Sequence, residues 1–211
     1  MSRGAAAFPP EVFQKLLEAQ ALRVSAALLG PALARLARYL SELDAWRQRI
    51  NLTGDLAPEE LAVHALESTA GARLIPDGAR LLDIGSGGGF PGVPLAIARQ
   101  DLVVTLLEPR SKRASFLRHI VRTVPLENAA VLCDRVERLT SPDYDVAVSR
   151  ALGELAEIID GAPFLRSPAL FLAWTTDAAS LGAALSPHFA LERVEPLAGT
   201  SRRCIAAFRK L

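Results

Sequence analysis

The sequence lacks several features that would indicate an exported or membrane-bound protein. It has only two cysteines, Cys133 and Cys204, which lie far apart and fit no metal-binding spacing. For such a pair, buried free thiols in a reducing compartment are a better interpretation than a disulfide. No uncharged run approaches the ~20 residues that span a bilayer, and residues 1–13 hold no apolar core of signal-peptide length. These absences predict a cytoplasmic protein.

The chain also has almost no net charge, and it is poor in lysine. The formal net charge of +1 predicts no partner by itself. Three lysines stand against 21 arginines, and the planar guanidinium suits phosphates and bases better than an ammonium does. At 211 residues, half of them hydrophobic, the chain is expected to form one compact domain with a large core.

Hydrophobic spacing divides the chain into two parts. Residues 1–75 read as a helical extension, with helices that begin near Pro9 and Pro58 and one between them that ends near Trp46. Residues 76–211 alternate apolar runs with helical segments. The apolar runs are residues 80–84, 102–107, 129–132, 145–148, 169–174, 189–194 and 203–208, and the helical segments are about 91–100, 110–123, 152–160 and 177–185. This alternation predicts an α/β fold, with a mainly parallel, twisted, Rossmann-like sheet and helices on both faces.

A glycine-rich stretch follows the first predicted strand. Residues 81–92 read LLDIGSGGGFPG, so five glycines fall within the eight positions 85–92. A tight strand-to-helix turn needs one or two glycines, whereas close approach of a ligand to bare backbone needs more. In parallel sheets, ligands bind outside the carboxyl ends of the strands. The stretch therefore predicts a ligand site.

Two ligands fit this glycine pattern. Residues 87–92 match the dinucleotide pattern G-x-G-x-x-G, and residues 83–89 match D-x-G-x-G-x-G, which suits S-adenosylmethionine. A pyrophosphate favours helix N-terminal N–H groups and positive potential, so Pro91 and Asp83 both disfavour the dinucleotide. The ammonium and sulfonium of S-adenosylmethionine are instead stabilised by the Asp83 carboxylate. Glu108, at the end of the second strand, can accept hydrogen bonds from ribose hydroxyls in either cofactor.

Six segments of the chain resemble the RsmG methyltransferases, also called glucose-inhibited division protein B. They are residues 46–53 (WRQRINLT), 64–68 (HALES), 85–94 (GSGGGFPGVP), 108–117 (EPRSKRASFL), 135–137 (RVE) and 148–151 (VSRA). The segments stand in family order over about residues 40–155. Arg47, Glu67 and the pair Glu108-Pro109 depart from the family pattern of Asn, Asp and Asp-Ser.

The resemblance implies a class I methyltransferase fold that uses S-adenosylmethionine to methylate N7 of a guanine in bacterial 16S ribosomal RNA. It places Gly85 and Phe90 at the cofactor, Val136 and Glu137 on its adenine side, and Arg150 at the cofactor or guanine pocket. Together with the acids and glycines above, the predicted cofactor contacts are Asp83, Gly85, Gly87, Gly89, Phe90, Glu108, Val136, Glu137 and Arg150.

The sequence shows no catalytic triad, no metal cluster and no N/D-P-P-Y/F motif of the kind that serves exocyclic amines. Guanine N7 already presents a lone pair, so methyl transfer to it requires no base. Alignment of the reactants and exclusion of water are then the main tasks. We therefore expect no catalytic side chain, no metal, and structural or surface positions for His64, His119 and His188.

Basic residues cluster near the mouth of the predicted site and predict an RNA-binding surface on 16S rRNA or the small ribosomal subunit. They are Arg47, Arg49, Arg110, Lys112, Arg113, Arg118 and Arg122, with the pair Arg202 and Arg203 as further candidates. Two alternatives stay open at this point. One is a nicotinamide-dependent oxidoreductase, and the other is an RNA-binding protein with a vestigial cofactor pocket.

Overall fold

The computed structural model describes residues 7–21, 30–150, 161–199 and 202–211. The helix predicted at 152–160 lies outside these residues. In the described part, three helices precede the sheet: α1 (Pro10–Ala21), α2 (Gly30–Arg47) and α3 (Pro58–Thr69), followed by a 3-10 helix at Ala70–Leu74. Pro58 occupies the first turn of α3, and the Glu60 carboxylate accepts a hydrogen bond from the Ala57 N–H (2.7 Å). This contact satisfies one of the donors that a helix start leaves unpaired.

Seven strands form one sheet, in the order β3-β2-β1-β4-β5-β7-β6. The strands are β1 (Arg80–Ile84), β2 (Val103–Leu107), β3 (Ala129–Leu132), β4 (Tyr144–Arg150), β5 (Leu165–Thr175), β6 (Phe189–Pro196) and β7 (Cys204–Lys210). The first five in chain order pair in parallel, whereas β7 pairs antiparallel with both β5 and β6. Strand order reverses between β1 and β4, which is where parallel sheets open a crevice for ligands.

Helices cover both faces of the sheet. On one face, α1, α2 and α3 join α4 (Gly92–Ala98) and α5 (Ser111–Thr123) in one continuous apolar cluster. On the other face, α6 (Ala178–Leu185) contributes Leu181 and Leu185 to a second cluster. The predicted α/β fold is thereby confirmed. The apolar side chains of the helical extension share a core with the sheet.

Two sequence expectations differ in detail from the structure. The cysteines are free thiols, as expected, but both are half-buried, and Cys133 lines a cleft described below. β5 begins at Leu165, earlier than the predicted apolar run at 169–174, and its pairing with β4 is irregular between Tyr144 and Val146. Among the described residues, no helix combines the length and the apolar character that crossing a membrane requires.

Candidate active site

The carboxyl ends of β1, β2 and β3 surround a cleft of about 540 Å³. Its walls come from the end of β1, from the turn between β2 and α5, and from the segment after β3. The lining residues are Ile84, Gly85, Leu107, Pro109, Arg110, Cys133, Asp134, Arg135, Val136, Glu137 and Arg138. Predicted cofactor residues from two separate segments, Gly85 and the pair Val136 and Glu137, thus line one cleft.

The glycine loop requires glycine for two different physical reasons. Gly85 has a φ of +71°, in the left-handed region, and a Cβ built there would meet no atom within 4 Å. A side chain at Gly85 would therefore occupy open space on the cleft wall. Gly92 instead packs tightly, since a Cβ there would lie 2.4 Å from Oδ2 of Asp83. The sequence prediction missed this packing role of Gly92, although the residue belongs to the quoted motif.

Asp83 is fully buried beneath the loop. Its Oδ2 accepts a hydrogen bond from the Gly92 N–H (3.1 Å), whereas Oδ1 has no hydrogen-bond partner among the described residues. Burial, with a smaller contribution from the charge of Glu108, raises the pKa of Asp83 to about 7. A nearby cation would stabilise the ionised carboxylate, so this residue fits a positively charged ligand better than a pyrophosphate.

Glu108 is also buried, and it joins the loop to the turn after β2. Its Oε2 accepts a hydrogen bond from the Gly87 N–H (3.0 Å), and its Oε1 accepts one from the Arg110 N–H (2.9 Å). A carboxylate can accept about four hydrogen bonds, so each oxygen keeps capacity for a further donor. Glu108, which we predict to bind the ribose, therefore also holds the glycine loop in place through its hydrogen bonds.

The wall after β3 holds the two residues predicted for the adenine side. Val136 is buried and Glu137 is exposed, both in a 3-10 helix at Val136–Arg138. Asp134 orders this wall, because its Oδ1 accepts a hydrogen bond from the Arg135 N–H (2.8 Å) and pairs with Arg138 (3.2 Å). The prediction missed Asp134, whose position just after β3 was the signal that could have identified it.

Arg150, at the end of β4, lies on the other side of β1 from the cleft. Its guanidinium carbon is 6.0 Å from the centre of the Phe90 ring, and Nη2 is 3.3 Å from Oε2 of Glu67. Phe90 also makes edge-on contacts with Tyr39 (5.6 Å) and His64 (6.2 Å) between ring centres. Burial, with the charge of Arg150, lowers the pKa of His64 to about 3, so this imidazole is neutral. Arg150 and Phe90, both predicted, are brought together here.

The predicted RNA-binding residues fall into two groups. Arg47 pairs with buried Asp44 (2.8 Å) and donates to the Leu56 carbonyl, so its guanidinium is committed to the protein. Arg113 is half-buried and donates to the Asn51 carbonyl (3.1 Å). The exposed group consists of Arg49, just after α2, Arg110 at the cleft, and Lys112, Arg118 and Arg122 on α5.

The sequence matches the model of a protein family described as rRNA small subunit methyltransferase G over residues 32–180. Relatives named ribosomal RNA small subunit methyltransferase G include one from Desulfotalea psychrophila, 42% identical over 144 residues, and one from Sorangium cellulosum, 41% identical over 173 residues. The alignments cover 65% and 78% of this chain, and 66% and 71% of the two relatives. The chain thus spans about two thirds of the length of these curated relatives.

Several solved structures with similar folds are methyltransferases of low sequence identity. Magnesium protoporphyrin IX methyltransferase from Synechocystis PCC 6803, solved with bound S-adenosylmethionine, has a TM-score of 0.61 at 16% identity and covers 88% of this chain and 99% of that one. A S-adenosylmethionine-dependent methyltransferase from Aquifex aeolicus has a TM-score of 0.53 at 14% identity and covers 96% and 98%. These similarities support the predicted fold.

Proposed function

Because this chain belongs to the rRNA small subunit methyltransferase G family, as its sequence segments predicted, we propose that it transfers a methyl group from S-adenosylmethionine to N7 of a guanine in 16S ribosomal RNA. One observation carries the cofactor part of this proposal. The space beside Gly85 is open, and two buried carboxylates, Asp83 and Glu108, lie at the adjoining strand ends. A nucleoside that carries positive charge matches this arrangement.

Each part of the cofactor has residues that fit it. Glu108 would bind the ribose hydroxyls with its remaining acceptor capacity, and Val136 and Glu137 would flank the adenine. Asp83 would favour the positively charged methionine end through its field. With the strand order β3-β2-β1-β4, the adenosine would lie toward β3 and the reacting end toward β4, near Arg150 and Phe90.

Methyl transfer to guanine N7 requires little proton transfer by the protein. The bound cofactor supplies a methyl group on a sulfonium, and guanine N7 supplies the electron pair without loss of a proton. Neutral, half-buried His64 and the buried acids are therefore not needed as bases. The chain's own residues align the two reactants and keep water away from them. Phe90, with Tyr39 packed behind it, provides an apolar wall for this purpose.

The exposed basic residues on and near α5 would contact RNA phosphates. The first of them, Arg110, lines the cleft, so the charged surface and the cofactor site are continuous. Arg47 is better assigned to the fold, since its guanidinium is held by Asp44 and Leu56. A substrate of 16S rRNA or the small subunit would place the enzyme in the cytoplasm.

Equilibrium binding and methyl incorporation test this function together. We expect the protein to bind S-adenosylmethionine and not NAD, and to incorporate labelled methyl groups into small-subunit rRNA. Binding of NAD alone would favour the oxidoreductase. Binding of RNA without binding of S-adenosylmethionine would favour an RNA-binding protein with a vestigial cofactor pocket.

A further inference from the structure

Glu67 is a buried carboxylate that contacts two arginines from distant parts of the chain. It lies on α3 with a side chain only 1% exposed. Its Oε2 is 3.3 Å from Nη2 of Arg150, at the end of β4, and its Oε1 is 3.0 Å from Nη2 of Arg203, just before β7. The contact with Arg203 is an ion pair rather than an aligned hydrogen bond. One acid thus joins a helix of the extension to two strands of the sheet.

The backbone at Glu67 is fixed by the sheet. The Trp174 indole N–H, from β5, donates to the Glu67 carbonyl oxygen (2.9 Å). Trp174 in turn packs closely on Gly71, where a Cβ would lie 2.5 Å from the indole ring. The carboxylate is therefore presented from a rigid support, which is what a group that orients another side chain requires.

Arg150 receives its orientation from α3. Besides the contact with Glu67, its Nη1 donates to the His64 carbonyl (3.4 Å), one turn earlier on the same helix. These two contacts turn the guanidinium toward the Phe90 ring, and only 16% of the Arg150 side chain is exposed. Burial lowers the pKa of Arg150, and the Glu67 charge opposes that effect. Without the carboxylate, Arg150 and Arg203 would lose the anion that they share.

We propose that Glu67 is the positioning residue of the active site: it holds the Arg150 guanidinium against Phe90 at the end of the cleft where the methyl group is transferred. Arg203 contributes by sharing the same carboxylate, which links the antiparallel strand β7 to the site. This inference rests on the proposed function, since it assigns Arg150 to the bound cofactor or target guanine. A buried ion pair that serves only the fold would have the same contacts, so the test must separate the two roles.

A double-mutant cycle separates positioning from stability. The variants are Glu67→Gln, Arg150→Met and the double variant, with Glu59→Gln, an exposed acid on the same helix, as the control. The readouts are kcat/KM for methyl transfer to rRNA, the S-adenosylmethionine affinity and the thermal midpoint. We expect Glu67→Gln to lower kcat/KM at least tenfold and Glu59→Gln to leave it within twofold.

The positioning role predicts that the losses in kcat/KM of the two single variants are not additive in the double variant. If Glu67 acts through Arg150, the double variant should be no more than about threefold worse than Arg150→Met alone. Glu67→Asp, which keeps the charge, should recover most of the activity lost in Glu67→Gln. Losses in kcat/KM that multiply in the double variant would overturn the positioning role, as would wild-type kcat/KM in Glu67→Gln or in Arg150→Met.

The same proteins also test the positioning role if Glu67→Gln does not fold or if the parent protein is inactive. If Glu67→Gln does not fold, Glu67→Asp takes its place in the cycle, with a smaller loss and the same non-additivity expected. If the parent protein transfers no methyl group, the proposed function fails by itself. The cofactor affinities of the four proteins then decide the positioning role, by the same comparison of single and double variants.

Discussion

Replacing Asp83 by Asn should raise the free energy of unfolding at high pH and weaken the binding of S-adenosylmethionine. The pKa of Asp83 rises from 3.8 to about 7 because the carboxyl is fully buried. The folded protein therefore holds the Asp83 proton more tightly than the unfolded chain does. The stability that this proton contributes is complete below pH 3.8 and is lost progressively as the pH rises to about 7. At higher pH, the ionised carboxylate costs about 4 kcal/mol, at roughly 1.4 kcal/mol per pKa unit.

Asp83→Asn removes this titration and keeps an oxygen that can accept from the Gly92 N–H. Between pH 5 and pH 8, the parent should lose about 2.5 kcal/mol of unfolding free energy that the variant retains. The assay is urea unfolding of the ligand-free proteins at both pH values. Other titrating groups cancel in this comparison because both proteins contain them.

The matched control is Asp143→Asn, since Asp143 is exposed. Its unfolding free energy should follow the parent's pH dependence within about 0.5 kcal/mol. At pH 8, Asp83→Asn should also bind S-adenosylmethionine at least tenfold more weakly, because the negative field at the cation is gone. Parallel pH profiles for Asp83→Asn and the parent would refute the buried-acid reasoning.

Three further changes test the rest of the site. Gly85→Val should abolish S-adenosylmethionine binding in calorimetry, because its side chain would fill the open space, while the φ of +71° adds strain; binding like the parent's would mean that the site lies elsewhere. Glu108→Gln should weaken binding roughly tenfold or more, the equivalent of a lost charge-assisted hydrogen bond of about 1.5–3 kcal/mol; unchanged affinity would exclude the ribose role. Changing Lys112, Arg118 and Arg122 together to Ala should flatten the slope of log RNA affinity against log salt by roughly 0.7–0.9 per contact, with cofactor affinity unchanged; equal slopes would remove α5 from the RNA-binding surface.

The parts of the fold that the sequence predicted are those set by local patterns. The bounds of β1 follow from the short apolar run before the glycines, and the distance from Gly85 to Glu108 follows from one strand-helix-strand unit. The family resemblance assigned roles to Arg150 and Phe90, but it did not show that the two side chains lie together. Contacts of this kind depend on strand order, which the chain reveals only when folded.

Other features could not be read from residue types alone. Arg47 looked like part of a basic surface, but Asp44, three residues earlier on α2, holds it in place. The cluster of Glu67, Arg150 and Arg203 joins residues that lie more than 50 positions apart in the sequence, so spacing gave no sign of it. A buried charge becomes informative only when its partners are known.

The most direct test of the central claim is mass mapping of small-subunit rRNA that lacks the modification, before and after incubation with the purified protein and S-adenosylmethionine. We expect one guanine to gain one methyl group at N7, and we expect Gly85→Val to leave the rRNA unmodified. A methyl group on another atom or base, or none with the parent protein, would contradict the proposed activity.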